Sequence, residues 1–168
     1  MLDQQDNTGE LTPTELLECI NNALKESGSS MVYKRIPDAF PGCESLKGKH
    51  ITMVDDSKLV LEGFFAELMV ATGGCAHMIY QQEQTIGELV DEILATNSDA
   101  VLMDYMLCGY QGDSIVRRIR EKNPALLCIG FSSMANAFGH VGIPAVRKDA
   151  RNKQETVQKI AEIVKKVS

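Results

Sequence analysis

Five residues able to do chemistry stand directly after short apolar runs of this 168-residue chain. They are Asp55 and Asp56 after the first run, Asp104 after the second, Ser132 after the third and Lys148 after the fourth. Parallel strands of an open sheet end at one edge, and ligands bind in the crevice outside their carboxyl ends. We therefore expect three carboxylates, a hydroxyl and an ammonium to converge on one site.

The chemistry of such a site follows from its charges. Three carboxylates without a countercharge repel one another, and a hard cation with oxygen ligands relieves that repulsion. No pair of His or Cys residues accompanies these acids, so Mg²⁺ is favoured over a softer metal. Beside such a cation, Asp104 could attack phosphorus, with Lys148 supplying a fixed positive charge and Ser132 a hydrogen bond.

Simpler interpretations exist for each of these residues. An adjacent Asp pair after a strand is more often a turn or a helix cap, and Ser132 alone could cap a short helix. The order of Asp55, Asp56, Asp104 and Lys148 as a set favours the metal site over these alternatives. A phosphatase of the haloacid-dehalogenase type would need a second acid two residues after its Asp nucleophile, where this chain has Met106.

The elements that would position these residues begin at His50. Apolar runs alternate with segments of helical period, which is typical of a parallel sheet covered by helices on both faces. The pattern predicts five strands, at 51–54, 76–80, 100–103, 126–131 and about 145–147. Helices are predicted from about Ser57 to Ala71, over a segment carrying Ile86 to Leu94, from about Asp113 to Lys122 and from about Gln154 to Val167. Between the last two strands Gly139, Gly142 and Pro144 leave room for only loop and marginal helix.

The first 49 residues are predicted to form two further segments, ahead of a domain at 50–168. Residues 1–28 are a polar tail followed by an amphipathic helix, because Thr12 and Glu15 fit a capping box and Pro13 fits the first helical position. Residues 29–49 are rich in Pro, Gly and Ser and are predicted to be a linker without regular structure. The apolar stripe of the helix could pack on the broad apolar surface of the helix that follows the first strand.

Composition limits the partners. The net charge of -6 and the pI near 5.1 argue against nucleic acid or an anionic membrane as the main partner. Five cysteines without a C-x-x-C pair support neither a disulfide framework nor a zinc site. The apolar runs are too short to span a bilayer and the N-terminus lacks the features of a signal peptide, so we expect a cytoplasmic protein.

Several short motifs taken together resemble the receiver domains of response regulators in two-component signalling. They are M-V-D-D-S at 53–57, V-L-M-D-Y-M-L at 101–107, Gly112, F-S-S at 131–133 and R-K-D at 147–149. The resemblance covers about residues 50–168. It implies a flavodoxin-like doubly wound α/β fold, in which a five-stranded parallel sheet of order 2-1-3-4-5 lies in a three-layer α/β/α sandwich. The N-terminal helix would be an addition to that fold.

The resemblance also implies roles for the site residues. Asp104 would be the phospho-acceptor, and Asp55, Asp56 and Asp104 would bind Mg²⁺ together with the Met106 backbone carbonyl. Ser132 resembles the switch hydroxyl and Lys148 the phosphoryl-binding lysine. The implied partners are a histidine kinase or histidine phosphotransfer protein and a downstream protein target, and a homodimer is left open. The chain would then be a signalling phospho-acceptor that catalyses only its own modification.

Four features depart from the pattern of that family. Asp149 follows Lys148 where proline is usual, and Ala145 stands where many members have Tyr or Phe. Cys108 replaces a frequent proline, and the connection that holds the fourth helix is short. Asp149, Ala145 and the short connection support an alternative function, a phosphorylation-independent interaction module with the same fold.

Overall fold

A computed structural model describes residues 9–134 and 136–167, so the first eight residues of the predicted tail lie outside the described chain. Its main feature is a parallel sheet of five strands, β1 (Ile51–Asp55), β2 (Ala76–Tyr80), β3 (Ala100–Met103), β6 (Leu127–Ser132) and β7 (Ala145–Arg147). A short antiparallel hairpin, β4 (Met106–Leu107) and β5 (Tyr110–Gln111), lies between β3 and β6 along the chain. The sheet order is β2-β1-β3-β6-β7. Without the hairpin this is the predicted order 2-1-3-4-5, and the fold class is confirmed.

Five helices complete the fold, namely α1 (Pro13–Glu26), α2 (Lys58–Thr72), α3 (Ile86–Ala95), α4 (Gly112–Lys122) and α5 (Lys153–Val167). Residues of α1, α2 and α5 share one apolar core with one face of the sheet, and those of α3 and α4 share a second core with the other face. The continuously buried strands β1 and β3 lie between the two cores. A strand covered on both faces has buried residues at successive positions, which explains why β1 and β3 are mostly apolar along their length.

The N-terminal helix packs on α2 of its own chain. The Thr12 hydroxyl accepts a hydrogen bond from the Glu15 backbone, and the Glu15 carboxylate accepts one from the Thr12 backbone, as the predicted capping box requires. Leu16, Ile20 and Leu24 are buried in the core shared with α2. Burying an apolar side chain of this size contributes roughly 2 kcal/mol. The apolar stripe therefore serves to attach α1 to the domain.

The segment 29–49, predicted as a linker, lies against the domain and contains a short 3₁₀ helix, Glu44–Leu46. Leu46 is fully buried in the core shared by α2 and α5. The Ser45 hydroxyl donates to the Ala161 carbonyl at 2.7 Å, and the Gln158 amide donates to the Pro41 carbonyl at 2.7 Å. These contacts join the segment to α5, which composition alone did not indicate.

The chain between β6 and β7 forms turns, and its described residues, 133–134 and 136–144, contain no helix. Phe138 is fully buried and Ile143 is 9% exposed, and both belong to the core on the α3 and α4 side of the sheet. Two apolar side chains thus cover sheet surface that a longer connection could cover with a helix. Within the described chain, no helix combines the length and the apolar character needed to cross a membrane.

Candidate functional site

All six residues predicted for the site lie around one open cavity of about 330 Å³ at the carboxyl ends of the strands. They are Asp55, Asp56, Asp104, Met106, Ser132 and Lys148. Asp55 is the last residue of β1 and Ser132 the last of β6, while Asp104 and Lys148 directly follow β3 and β7. The parallel register brings these four strand ends to the same edge of the sheet.

Lys148 bridges two of the acids. Its ammonium nitrogen lies 2.5 Å from Asp55 Oδ2 and 2.7 Å from Asp104 Oδ1, and its side chain is only 11% exposed. The same ammonium lies 5.5 Å from the ring centroid of Phe131, and the Lys148 backbone N–H donates to the Ser132 carbonyl at 3.0 Å. Lys148 reaches both carboxylates although Asp149 follows it. A buried ammonium in this position holds a fixed positive charge beside Asp104.

The three acids are close enough to share one cation. One carboxylate oxygen from each of Asp55, Asp56 and Asp104 lies within 4.8 Å of the others. Burial raises the pKa of the Asp55 carboxyl and the charge of Asp104 raises it further, while Lys148 opposes both effects. The pKa of Asp55 stays raised despite the ammonium beside it, so ionising this buried carboxyl has an electrostatic cost that a bound cation would reduce. This all-oxygen donor set fits Mg²⁺, which binds through a few carboxylates and retains several waters.

Local backbone structure fixes Asp55. Its Oδ1 accepts a hydrogen bond from the Ser57 N–H at 2.9 Å, while its Oδ2 faces Lys148. Ser57 is also the N-cap of α2, and its hydroxyl accepts from the Val60 N–H. The start of α2 and the orientation of the Asp55 carboxylate are thus set by the same turn.

The chain after Asp104 folds back on itself through the hairpin, which the sequence did not predict. The Gly112 N–H donates to the Tyr105 carbonyl at 2.7 Å, and a Cβ atom at Gly112 would overlap the Asp104 backbone carbonyl. Only glycine fits at this close approach. Met106 lies in β4 and lines the cavity, and the residue is 54% exposed.

Ser132 is 5% exposed, and its hydroxyl oxygen accepts a hydrogen bond from the Met134 N–H at 3.2 Å. This bond uses the hydroxyl as an acceptor, so its hydrogen is available for a ligand in the cavity. The turn after β6 therefore holds Ser132 in a position from which it can donate.

Gln81 is a residue beside the site that sequence reasoning missed. It directly follows β2 and is 1% exposed, and its side-chain amide bonds to both backbone groups of Cys108 in the hairpin. The signal that identifies the five strand-end residues applies here as well, because Gln81 is polar and follows the predicted strand 76–80, although His77 interrupts its apolar residues. A neutral amide does not suggest metal or phosphoryl chemistry, so the sequence alone does not mark Gln81 as a site residue.

Comparisons with known proteins identify the fold. No protein-family model matches the sequence, and a search of the curated proteins finds no relative. Among solved structures, a two-component response regulator of the LuxR family from Aurantimonas sp. SI85-9A1 is 27% identical with a TM-score of 0.58, and the match covers 70% of this chain and 86% of that one.

Two further solved structures agree with this result. A CheY-like receiver domain from Methanospirillum hungatei JF-1 is 19% identical with a TM-score of 0.56, over 71% of this chain and 95% of that one. The response regulator TrrA of Thermotoga maritima, solved in complex with Mg²⁺ and BeF, is 21% identical with a TM-score of 0.56, over 71% of this chain and 99% of that one. The structural neighbours are thus receiver domains of response regulators, as the motifs predicted, and this chain has their fold.

Proposed function

We propose that the chain is a phospho-accepting receiver in which Asp104 takes a phosphoryl group from a histidine kinase or a histidine phosphotransfer protein. The observation that carries this proposal is the position of the Lys148 ammonium between Asp55 and Asp104, with Asp56 beside them at the carboxyl edge of the sheet. A structural site built only for stability has no need of three converging acids.

The proposed step is a transfer between two side chains. An oxygen of the Asp104 carboxylate forms a bond to phosphorus while the phosphorus–nitrogen bond of the donor's phosphohistidine breaks. The imidazole leaves with the electron pair of that bond and is protonated. Lys148 faces the phosphoryl oxygens, and the Ser132 hydroxyl donates to one of them.

Mg²⁺, when bound, would neutralise charge on the phosphoryl oxygens during the transfer. Asp55, Asp56 and Asp104 would hold it, with the Met106 backbone carbonyl as a further oxygen ligand. These residues line a cavity that is open to solvent, so several waters can remain on the cation. The chain itself supplies the acceptor, the orientation and the fixed positive charge.

Incubation with acetyl phosphate and Mg²⁺, followed by intact mass measurement, tests the proposal. We expect one phosphoryl adduct in the wild type, none after removal of Mg²⁺ with EDTA, and none in Asp104→Asn. Asp91→Asn is the matched control because Asp91 is exposed on α3, where it pairs with Lys122 away from the site. An adduct that persists in Asp104→Asn would reject Asp104 as the acceptor.

A second candidate function is an interaction module that works without phosphorylation. Ala145 and the turns between β6 and β7 favour it, because they alter the segment that would transmit a change at Ser132. Absence of any adduct in the wild type, in a chain shown by titration to bind Mg²⁺, would favour this second function. The cytoplasmic location, the downstream target and the restriction of catalysis to self-modification remain predictions.

A further inference from the structure

We propose that Gln81 is a positioning residue that holds the β4–β5 hairpin, and with it Met106, in the place required for Mg²⁺ binding. This inference rests on the proposed function, since it assigns a role at the same site. It concerns a residue that touches neither the cation nor the phosphoryl group. Gln81 would act through the backbone that it binds.

The side-chain amide of Gln81 is fully used. Its Oε1 accepts from the Cys108 N–H at 2.8 Å, and its Nε2 donates to the Cys108 carbonyl at 3.1 Å and to the Gln82 carbonyl at 2.9 Å. The side chain therefore pairs with Cys108 much as a neighbouring strand would. Gln81 is 1% exposed, so its own amide is shielded from water.

The backbone of Gln81 is tied to the site as well. Its N–H donates at 2.9 Å to the carbonyl of Asp55, the buried acid at the end of β1. One residue thus connects the backbone of a carboxylate ligand on β1 with the turn that follows the acceptor strand β3. Met106 is two residues before Cys108, within the strand that this turn closes.

The hairpin needs such support. Each of its strands has two residues, and two backbone pairings join them, Met106 with Gln111 and Leu107 with Tyr110. An isolated two-stranded hairpin is at best marginally stable in water. The buried side chain of Leu107 attaches the hairpin to the domain. Cys108, at the turn, is exposed, and its backbone is held by the Gln81 side chain.

Removal of the Gln81 amide should therefore loosen the hairpin and weaken metal binding while the three carboxylates stay in place. Loss of a group that orients a metal ligand from outside the coordination sphere typically weakens metal affinity about 10-fold to 100-fold. We expect Gln81→Leu, which keeps the volume and removes the bonds, to raise the dissociation constant for Mg²⁺ by about tenfold. Gln81→Met, an unbranched side chain of similar length that also lacks the amide, is the second variant and should lose affinity to a similar extent.

Isothermal titration with Mg²⁺ alone, without a phosphodonor, is the test. Gln82→Leu is the matched control, because Gln82 is the adjacent, exposed residue of the same type and its side chain makes no hydrogen bond in the described structure. We expect its affinity to equal that of the wild type. Circular dichroism verifies that each variant is folded. The stoichiometry of the titration gives the fraction of the protein that is able to bind Mg²⁺.

Each outcome decides one question. Equal Mg²⁺ affinity in folded Gln81→Leu and in the wild type would overturn the role of Gln81. If Gln81→Leu does not fold, then Gln81→Met decides, and wild-type affinity in that folded variant would overturn it too. A wild type that binds no Mg²⁺ overturns this inference together with the metal-binding part of the proposed function. A wild type that binds Mg²⁺ and yet takes no phosphoryl group overturns only the proposed function.

Discussion

The ring of Phe138 lies directly on the backbone of Gly130, so closely that a Cβ atom at Gly130 would overlap it. Phe138 is fully buried and comes from the turns between β6 and β7, while Gly130 lies within β6. The same ring makes an edge contact with Tyr105, the residue after Asp104, at a centroid distance of 5.3 Å. The turns that stand in place of a helix are therefore anchored both on the sheet and beside the acceptor.

A double-mutant cycle at Gly130 and Phe138 tests this packing. Phe138→Ala should cost about 3 to 5 kcal/mol through cavity formation, and Gly130→Ala about 1 to 3 kcal/mol through overlap with the ring. In the double variant the new methyl group occupies space that the ring has left. The double variant should therefore lose less free energy of unfolding than the sum of the losses in the two single variants. Urea unfolding followed by circular dichroism measures all three. Strict additivity would show that the two residues do not compete for one space.

Gly112→Ala should disturb the acceptor directly. Its Cβ would overlap the Asp104 carbonyl, so the backbone of β3 or the start of α4 must shift, and we expect lower stability together with slower uptake of the phosphoryl group. Gly63→Ala is the control, since Gly63 lies within α2 and a Cβ there meets nothing within 4 Å. Alanine in a helix interior is favoured over glycine by up to about 1 kcal/mol, so this variant should be as stable as the wild type or more so. Thermal unfolding and the acetyl phosphate assay compare the two, and equal behaviour would contradict the close approach at Gly112.

The local residue pattern was sufficient to predict the sheet and the convergence of its strand ends. Each buried strand is a mostly apolar run followed by a polar residue, and that signal is contained in five to six neighbouring positions. Topology then follows from the right-handed crossover rule, which leaves few arrangements for alternating strands and helices. The same pattern predicts that Asp55, Asp104 and Lys148 lie close together, and their side chains do so in the structure.

Contacts between distant residues could not be predicted in this way. The hairpin after Asp104 depends on Gln81, which is 27 residues away from its partner Cys108. The segment 29–49 lies on α5 through Ser45 and Ala161, which are separated by 116 residues. Each of these contacts needs the assembled fold to bring its partners together, and a Pro-rich and Gly-rich composition gives no sign of it.

The cysteines should differ sharply in reactivity. Burial raises the pKa of both the Cys43 and the Cys128 thiol to about 11, so at about pH 8 both stay protonated as well as inaccessible. Cys19 and Cys108 are exposed. Brief treatment with iodoacetamide followed by peptide mapping should find label on Cys19 and Cys108 and almost none on Cys43 and Cys128. In concentrated urea all four should react at similar rates, and early labelling of Cys128 in the folded chain would contradict its burial.

Stability without metal should depend on pH through Asp55. Because burial raises the pKa of this carboxyl above its ordinary 3.8, the folded state favours the protonated form. The stabilising contribution of the protonated form is complete below pH 3.8, the ordinary pKa. It is lost as the pH rises through the raised pKa of the folded state. Asp55→Asn remains neutral and avoids this loss, so in EDTA its free energy of unfolding should exceed that of the wild type by an amount that grows from about pH 4 upward.

Urea unfolding in EDTA across about pH 4 to 8 measures this difference. Asp38→Asn is the control, since Asp38 is exposed in the segment 29–49, and its difference from the wild type should stay constant with pH. Mg²⁺ should reduce the advantage of Asp55→Asn, because a bound cation stabilises the folded wild type and this variant lacks one of the carboxylate ligands. If Asp55→Asn is less stable than the wild type at neutral pH without metal, the Lys148 ammonium alone offsets the buried charge. The site would then have no electrostatic need for a cation.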